Sequence, residues 1–492
     1  MNDFIERVDR KMATYWKWIT ESLFQNEESE FSRSQIWFQR FAIISIYLLC
    51  IVLWSFFLNW GRINWGVQDW IWEWRYSRIL KEAVTDFQIP LHTDPPLSYG
   101  VSRFLGIPDV PLAPQIFLLR YLDPGLNFLI NLLIMFSVSY IGCLQIKRHY
   151  QLSVFSFTIL ALLFNVNGFI TSHIAAGHTF FTGYFLLPFY ILLTLQLMEG
   201  KASKYWYAQM GLVLFGIELV GTTHIFAICF MFLGVLLLFA KSDRPNILKS
   251  MVAGVALNIY RLAPAALALT AMEKPPFAGF TTLGDLIIGL VWIIPPSKSI
   301  VGLPIAWWEF DMYVGVLGLA FILFFGIKTI WRSKRDSQTR DPLRPLVKTM
   351  LVFSVFSIGY LYMPINYLPI PLFNLIHVPS RFLILPLLFI IAMATTQIQS
   401  WLDRRSSSSW SHFSLILLLA ILGHDLFQHA RLWRIEYVFE AFSSESLDFS
   451  LHIANQIDPA YIIVLAVSWT LSLMALAYIL WRMLRDQSRS PS

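Results

Sequence analysis

The sequence predicts an all-α polytopic membrane protein: a bundle of about twelve transmembrane helices with a large, partly helical first extracytoplasmic loop. Three observations predict it. Of 492 residues, 56% are hydrophobic and only 14% charged, against about 25% charged in soluble chains, and the mean hydropathy is +0.58. Apolar runs recur along the whole length, most of them near the roughly 20 residues that a membrane crossing needs. The basic residues gather in alternate connections between these runs, which is how orientation in a bilayer is set.

Residues 1–40 precede the first run and are not a cleavable signal. Phe4, Val8, Tyr15, Ile19 and Leu23 approximate a helical stripe with Arg10, Lys11 and Lys17 beside it. The segment reads as an in-plane helix on the cytoplasmic surface or as a short solvated helix. The transmembrane domain spans 41–482, with runs at 41–59, 125–146, 152–170, 182–198, 207–221, 223–240, 250–270, 312–330, 346–363, 382–399, 412–429 and 460–482. A cytoplasmic tail, 483–492, follows.

The fifth and sixth runs meet at Gly221-Thr222-Thr223-His224. One long bent helix there would invert everything downstream. The charges favour two crossings. With the N-terminus inside, the inner segments hold 25 of the 37 Lys and Arg residues, and every inner connection has some. Both ends are then cytoplasmic. The outer loops are 60–124, 271–311, 364–381 and 430–459.

Several classes are set aside. The formal charge of +6 comes from short inner blocks, not from a basic patch with stacking aromatics, so no nucleic acid is expected. Cys50, Cys143 and Cys229 fall inside apolar runs and offer neither a loop disulfide nor ligand spacing. There is no GxxxxGK[ST], GxGxxG, HExxH or GxSxG.

The candidate chemistry lies in the outer segments. An interfacial helix is expected over about 69–84, starting after Gly66-Val67-Gln68. Asp69 at its start is either a helix cap or a general base at the membrane rim. Glu73 lies one turn on, on the same face or as a solvated partner of Arg75 or Arg78. Asp94 stands before two prolines, as a turn residue or an acceptor contact. His173 and His178 flank Ala175-Ala176-Gly177. Their spacing is not the one-turn pairing of helical zinc sites, so no metal is assigned to them. His178 suits a phosphate or hydroxyl, or is an ordinary interfacial histidine. Arg261 sits inside the seventh run, where a charge is costly and often functional, although snorkelling is the plainer account. Arg381 lies at an outer span boundary, fit to hold a lipid phosphate by two hydrogen bonds or to anchor headgroups. Glu309 and Asp311 place two carboxylates beside the two indoles of Trp307 and Trp308, which suits a sugar site or an aromatic belt.

These stretches resemble the GT-C superfamily of membrane glycosyltransferases, nearest its bacterial YfhO-like and mannosyltransferase-like branches. The resemblance rests on Gly66-Val67-Gln68-Asp69 followed by Gln88-Ile89-Pro90-Leu91, on Ala175-Ala176-Gly177-His178 through Leu187-Pro188, on Trp308-Glu309-Phe310-Asp311-Met312-Tyr313-Val314-Gly315, and on Pro379-Ser380-Arg381-Phe382. Gln68 stands where the family often has glycine, His92 where it has tryptophan, and the paired acidic motif of protein mannosyltransferases is missing. The resemblance implies a polyprenyl-phosphate sugar donor in the membrane lipid and a glycan, lipid or protein acceptor outside. It implies Asp69 as the inverting enzyme's general base, and Arg381, Arg261 and His178 as donor-phosphate contacts. Asp94, Glu309, Asp311, Trp308 and His173 would hold acceptor or sugar. Some relatives use a divalent cation, Mg or Mn. The expected location is a bacterial inner (plasma) membrane. A transporter or lipid flippase, and a non-catalytic membrane complex subunit, remain the alternatives.

Overall fold

A computed structural model describes residues 2–26, 30–97, 100–269, 278–296, 306–327, 342–366, 376–404 and 409–487. Much of the expected loop 271–311, part of 364–381, most of the basic inner connection 331–345 and the end of the tail fall outside the described residues.

The architecture is helical. α1 (Asn2–Phe24) packs on α2 (Arg33–Phe57), whose Gln39 donates to the Ser22 carbonyl at 2.9 Å, while the buried Phe24 of α1 meets Phe155 with ring centres 4.7 Å apart. Ser32 opens α2 as a capping box with Gln35, so two otherwise orphaned donors are satisfied. The first outer segment carries α3 (Trp70–Asp86), the short strand β1 (Thr93–Asp94) and 3-10 turns. α4 (Pro124–His149) starts with proline, after Asp123 accepts from the N–H groups of Gly125 and Leu126. α5 (Val154–Asn165) and α6 (Gly168–Ala176) form one interrupted rod, capped at Ser153 and again at Asn167. After a 3-10 stretch come α7 (Leu187–Met198), α8 (Trp206–Leu219), α9 (Thr223–Phe239) and α10 (Arg244–Leu269). Then follow α11 (Leu283–Val291), α12 (Gly315–Phe321), α13 (Arg344–Phe356), α14 (Gly359–Asn366) and α15 (Ile384–Arg404). α16 (Ser409–Leu432), α17 (Ile435–Ala441), β2 (His452–Ile453) and α18 (Pro459–Gln487) complete the chain.

Among the described residues, eight helical stretches are long and apolar enough to cross a membrane: Arg33–Phe57, Pro124–His149, Val154–Ala176, Thr179–Met198, Arg244–Leu267, Pro379–Arg404, Trp410–Ala441 and Pro459–Arg485. They coincide with eight of the twelve apolar runs. Over the other four runs the described residues form shorter helices: α8, α9, the Gly315–Ile327 stretch, and α13 with α14. The chain is therefore a polytopic helical membrane protein. The 207–240 stretch divides at Gly221, which has φ +79°, into two helices that pack on each other.

The helices form a centre and a rim. The apolar window of Val154–Ala176 is 89% buried, and that of Trp410–Ala441 only 11%. Lipid accounts for the difference, since it accepts apolar side chains that water would reject. α8 and α10 approach through small residues, Gly211 against Ala253 and Gly254 against Leu214, as helices do where no hydrophobic drive separates them from lipid. Cys50, Cys143 and Cys229 are free and buried.

The first and last outer segments join. β1 pairs antiparallel with β2, Thr93 opposite Ile453 and Asp94 opposite His452. Arg78 donates to the carbonyls of Leu451 and Phe449 at 2.8 and 2.6 Å, and Arg103 binds Asp458. Segments more than 350 residues apart thus share one end of the bundle.

Candidate functional site

The site begins with a main-chain junction. Gly177 ends α6 in the left-handed region, with φ +93°, and α3 starts against it. Asp69 N–H donates to the Ala176 carbonyl at 3.2 Å, and the Trp70 indole to the Ala175 carbonyl at 3.0 Å. Trp70 itself is fully buried.

This junction bears on the helix-cap reading of Asp69. It occupies the N-cap position of α3, yet its side chain makes no capping hydrogen bond. Its Oδ2 lies 2.7 Å from His178 Nε2 instead, and the side chain is 41% exposed. The carboxylate is therefore held from inside and reachable from outside.

Behind it lies a buried cluster. His178 Nδ1 is 3.9 Å from Glu309 Oε1, and His173 Nε2 is 3.6 Å from Glu309 Oε2. Arg381 grips the same carboxylate with Nη2 on Oε1 at 2.6 Å and Nε on Oε2 at 2.8 Å. Ser380 fixes the Glu309 backbone by donating to its carbonyl at 2.6 Å. Phe181 lies beneath the Arg381 guanidinium, 5.0 Å from ring centre to charge, and packs against His173 at 4.4 Å. Trp308 sits edge-on to His178, with ring centres 6.3 Å apart.

The electrostatics follow from burial and pairing. Burial alone would push the Glu309 carboxyl up, but Arg381, with His173 and His178 beside it, overrides this and holds it well below the usual carboxylate range. Among the described residues Glu73 has no such cation. Burial pushes its carboxyl up to about 7, against hydrogen bonds from Thr179 and Ser77. The solvated-partner reading of Glu73 is thus corrected. Arg75 stacks on Trp72 and Arg78 bonds the far loop, while Glu73 is buried and holds Thr179, the neighbour of His178.

The remaining candidates are placed elsewhere. Asp311 is fully buried, bonded to His429 Nε2 at 2.9 Å and to the Tyr313 N–H at 3.1 Å, and is spent on joining α16 to the 309–315 segment. Arg261 gives Nη1 and Nη2 to the carbonyls of Ile107 and Val110, close enough to Asp109 and Glu218 to act on their charge. Asp94 is exposed in the β1–β2 ladder, opposite His452. The site therefore unites Asp69, His173, His178, Trp308, Glu309 and Arg381, and leaves out Asp94, Asp311 and Arg261.

Sequence reasoning passed over Asp109 and His429. Asp109 lies in an unremarkable Ile-Pro-Asp-Val turn, and burial pushes its carboxyl up to about 6, against Arg261 and Arg381. His429 sits on an apolar helix where nothing local marks it. No protein-family model, curated protein or solved structure matches the chain.

Proposed function

We propose that the protein is a glycosyltransferase of the GT-C kind, moving a sugar from a polyprenyl-phosphate donor to an acceptor hydroxyl on the extracytoplasmic face, with inversion. The observation that carries this reading is the meeting of Asp69 with His178, Glu309 and Arg381. It joins an outward-facing carboxylate to a buried cationic group at one end of an apolar bundle.

In this reading Asp69 takes the acceptor hydroxyl proton. The acceptor oxygen bonds to the anomeric carbon as the carbon–phosphate oxygen bond breaks, and the electron pair leaves with the polyprenyl phosphate. Arg381 and His178 face the growing phosphate charge. Nε and Nη2 of Arg381 are held by Glu309, so the guanidinium is pre-aimed, with Nη1 unclaimed among the described residues. Trp308 offers an indole to the sugar.

Twelve crossings with both ends cytoplasmic remain the proposed topology, in a bacterial inner membrane. Two facts support it. The Thr222 hydroxyl accepts from the Gly183 N–H at 2.9 Å, which puts the α8–α9 junction beside the site, as two separate crossings require. Asp69 and His178 also share an end with Glu309 and Arg381, which a single 207–240 crossing would forbid.

The rival reading, a transporter or flippase, draws on the buried Glu218 and Arg261. Mass spectrometry of lipids copurifying with the protein, combined with a transfer assay in native membranes, separates the two. Glycosyltransfer predicts a bound polyprenyl-phosphate sugar and a covalent product. Substrate flux in proteoliposomes without product would overturn it in favour of the rival, and neither lipid nor product would favour a non-catalytic subunit.

A further inference from the structure

We infer that His173, His178 and Glu309 bind one divalent transition-metal ion of the zinc class, with Asp69 as the outer carboxylate that orients His178. Ligand atoms of these three residues all lie within 4.8 Å of one another. Both ring nitrogens of His173, and Nδ1 of His178, are buried without a hydrogen-bond partner. A buried polar atom without a partner is costly, and the two that face one carboxylate, His173 Nε2 and His178 Nδ1, have a common remedy in a cation.

Asp69 Oδ2 lies 2.7 Å from His178 Nε2; with the Nε2 proton donated to it, the Nδ1 lone pair is available to an ion beside Glu309. A carboxylate on the far nitrogen of a ligating histidine is the usual outer partner of a metal site. Glu309 can serve as well. An ionised carboxylate has about four lone-pair positions, and the two Arg381 bonds use one on each oxygen.

Size and ligand type then choose the ion. Metal–nitrogen bonds of about 2.0–2.1 Å in a tetrahedral site put ligand atoms roughly 3.3 Å apart. His173 and His178 lie 3.6 and 3.9 Å from the two different oxygens of Glu309, and with the three ligand atoms within 4.8 Å of one another the set closes on an ion by shifts of up to about 1.5 Å. Two imidazoles and one carboxylate suit zinc, where Mg and Mn prefer oxygen. This departs from the Mg or Mn that the family resemblance implied. It also reopens the histidine pair that spacing alone set aside. The one-turn rule assumes a continuous helix, and Gly177 breaks it, bringing the two rings to 5.0 Å.

The ion has a use in the proposed reaction. Asp69, Glu309 and Arg381 together carry one net negative charge, and a divalent ion turns the cluster positive beside an anionic donor. That use rests on the glycosyltransferase reading, whereas metal binding does not.

The test uses the full-length protein in detergent, stripped with a chelator and titrated with Co2+ alone, followed by visible absorption and by metal content after gel filtration. One equivalent per chain, displaced by Zn2+ but not by Mg2+, is expected. His173→Ala and His178→Ala should lose it, the exposed His424→Ala should keep it, and His178→Cys, a thiolate ligand, should restore it. Asp69→Ala should weaken binding about 10–100-fold without abolishing it. A stripped wild-type protein that takes up no ion, or histidine variants that bind as the wild type does, would overturn the proposal. Should the alanine variants fail to fold, the wild-type stoichiometry and the Zn2+ displacement decide alone. Wild-type transfer that survives the chelator would sink the ion's catalytic use and leave the glycosyltransferase reading standing.

Discussion

Gly177 meets Trp70 so closely that a β-carbon on the glycine would lie 2.2 Å from the Trp70 amide nitrogen. The end of α6 and the start of α3 are thereby fixed backbone to backbone, and this contact carries Asp69 to His178.

Gly177→Ala is expected to destabilise the protein by at least about 3 kcal/mol, from left-handed strain plus overpacking against main chain. Gly200→Ala is the control, since Gly200 also has positive φ but open space around its α-carbon. It should cost only about 1–2 kcal/mol. Thermal unfolding in detergent measures both, and equal losses would mean the junction is not tight.

Glu309 and Arg381 are both buried, so breaking the pair should cost more than replacing it. Glu309→Met or Arg381→Met alone strands a charge and should cost about 3–5 kcal/mol. The double variant should recover much of that while remaining inactive. A double variant whose loss equals the sum of the singles would contradict the pairing.

Glu73 makes a pH prediction. Its folded value, about 7, lies above the ordinary 4.5. The native state then binds more protons than the unfolded state between these values. The contribution of Glu73 to stability should be greatest below pH 4.5, fall as pH rises through that window, and flatten above about 7, by up to about 3 kcal/mol. Glu73→Gln should remove that part of the slope. An unchanged profile in unfolding measurements from pH 5 to 8 would show that Glu73 is ionised in the native protein.

The membrane class was legible because it is written in composition and repeats in every run. Asp69, His178, Glu309 and Arg381 were legible because charged groups near the ends of apolar runs are few. Their partners were not. Glu73 at a rim position looks the same in sequence whether it meets water or Thr179. Asp311 and Arg381 are both polar residues beside spans, and only the fold shows that His429 claims one and Glu309 the other. The histidine pair was hidden for a further reason: the left-handed turn at Gly177 replaces helical spacing with a fold-back that no periodicity encodes.

The most direct test is sugar transfer by Asp69→Asn in membranes supplied with native lipid donor, with expression and unfolding temperature matched to wild type. Loss of the general base should lower the rate about 10²–10⁴-fold while a Co2+ titration still finds the ion bound. Undiminished transfer by a well-folded Asp69→Asn protein would contradict the account.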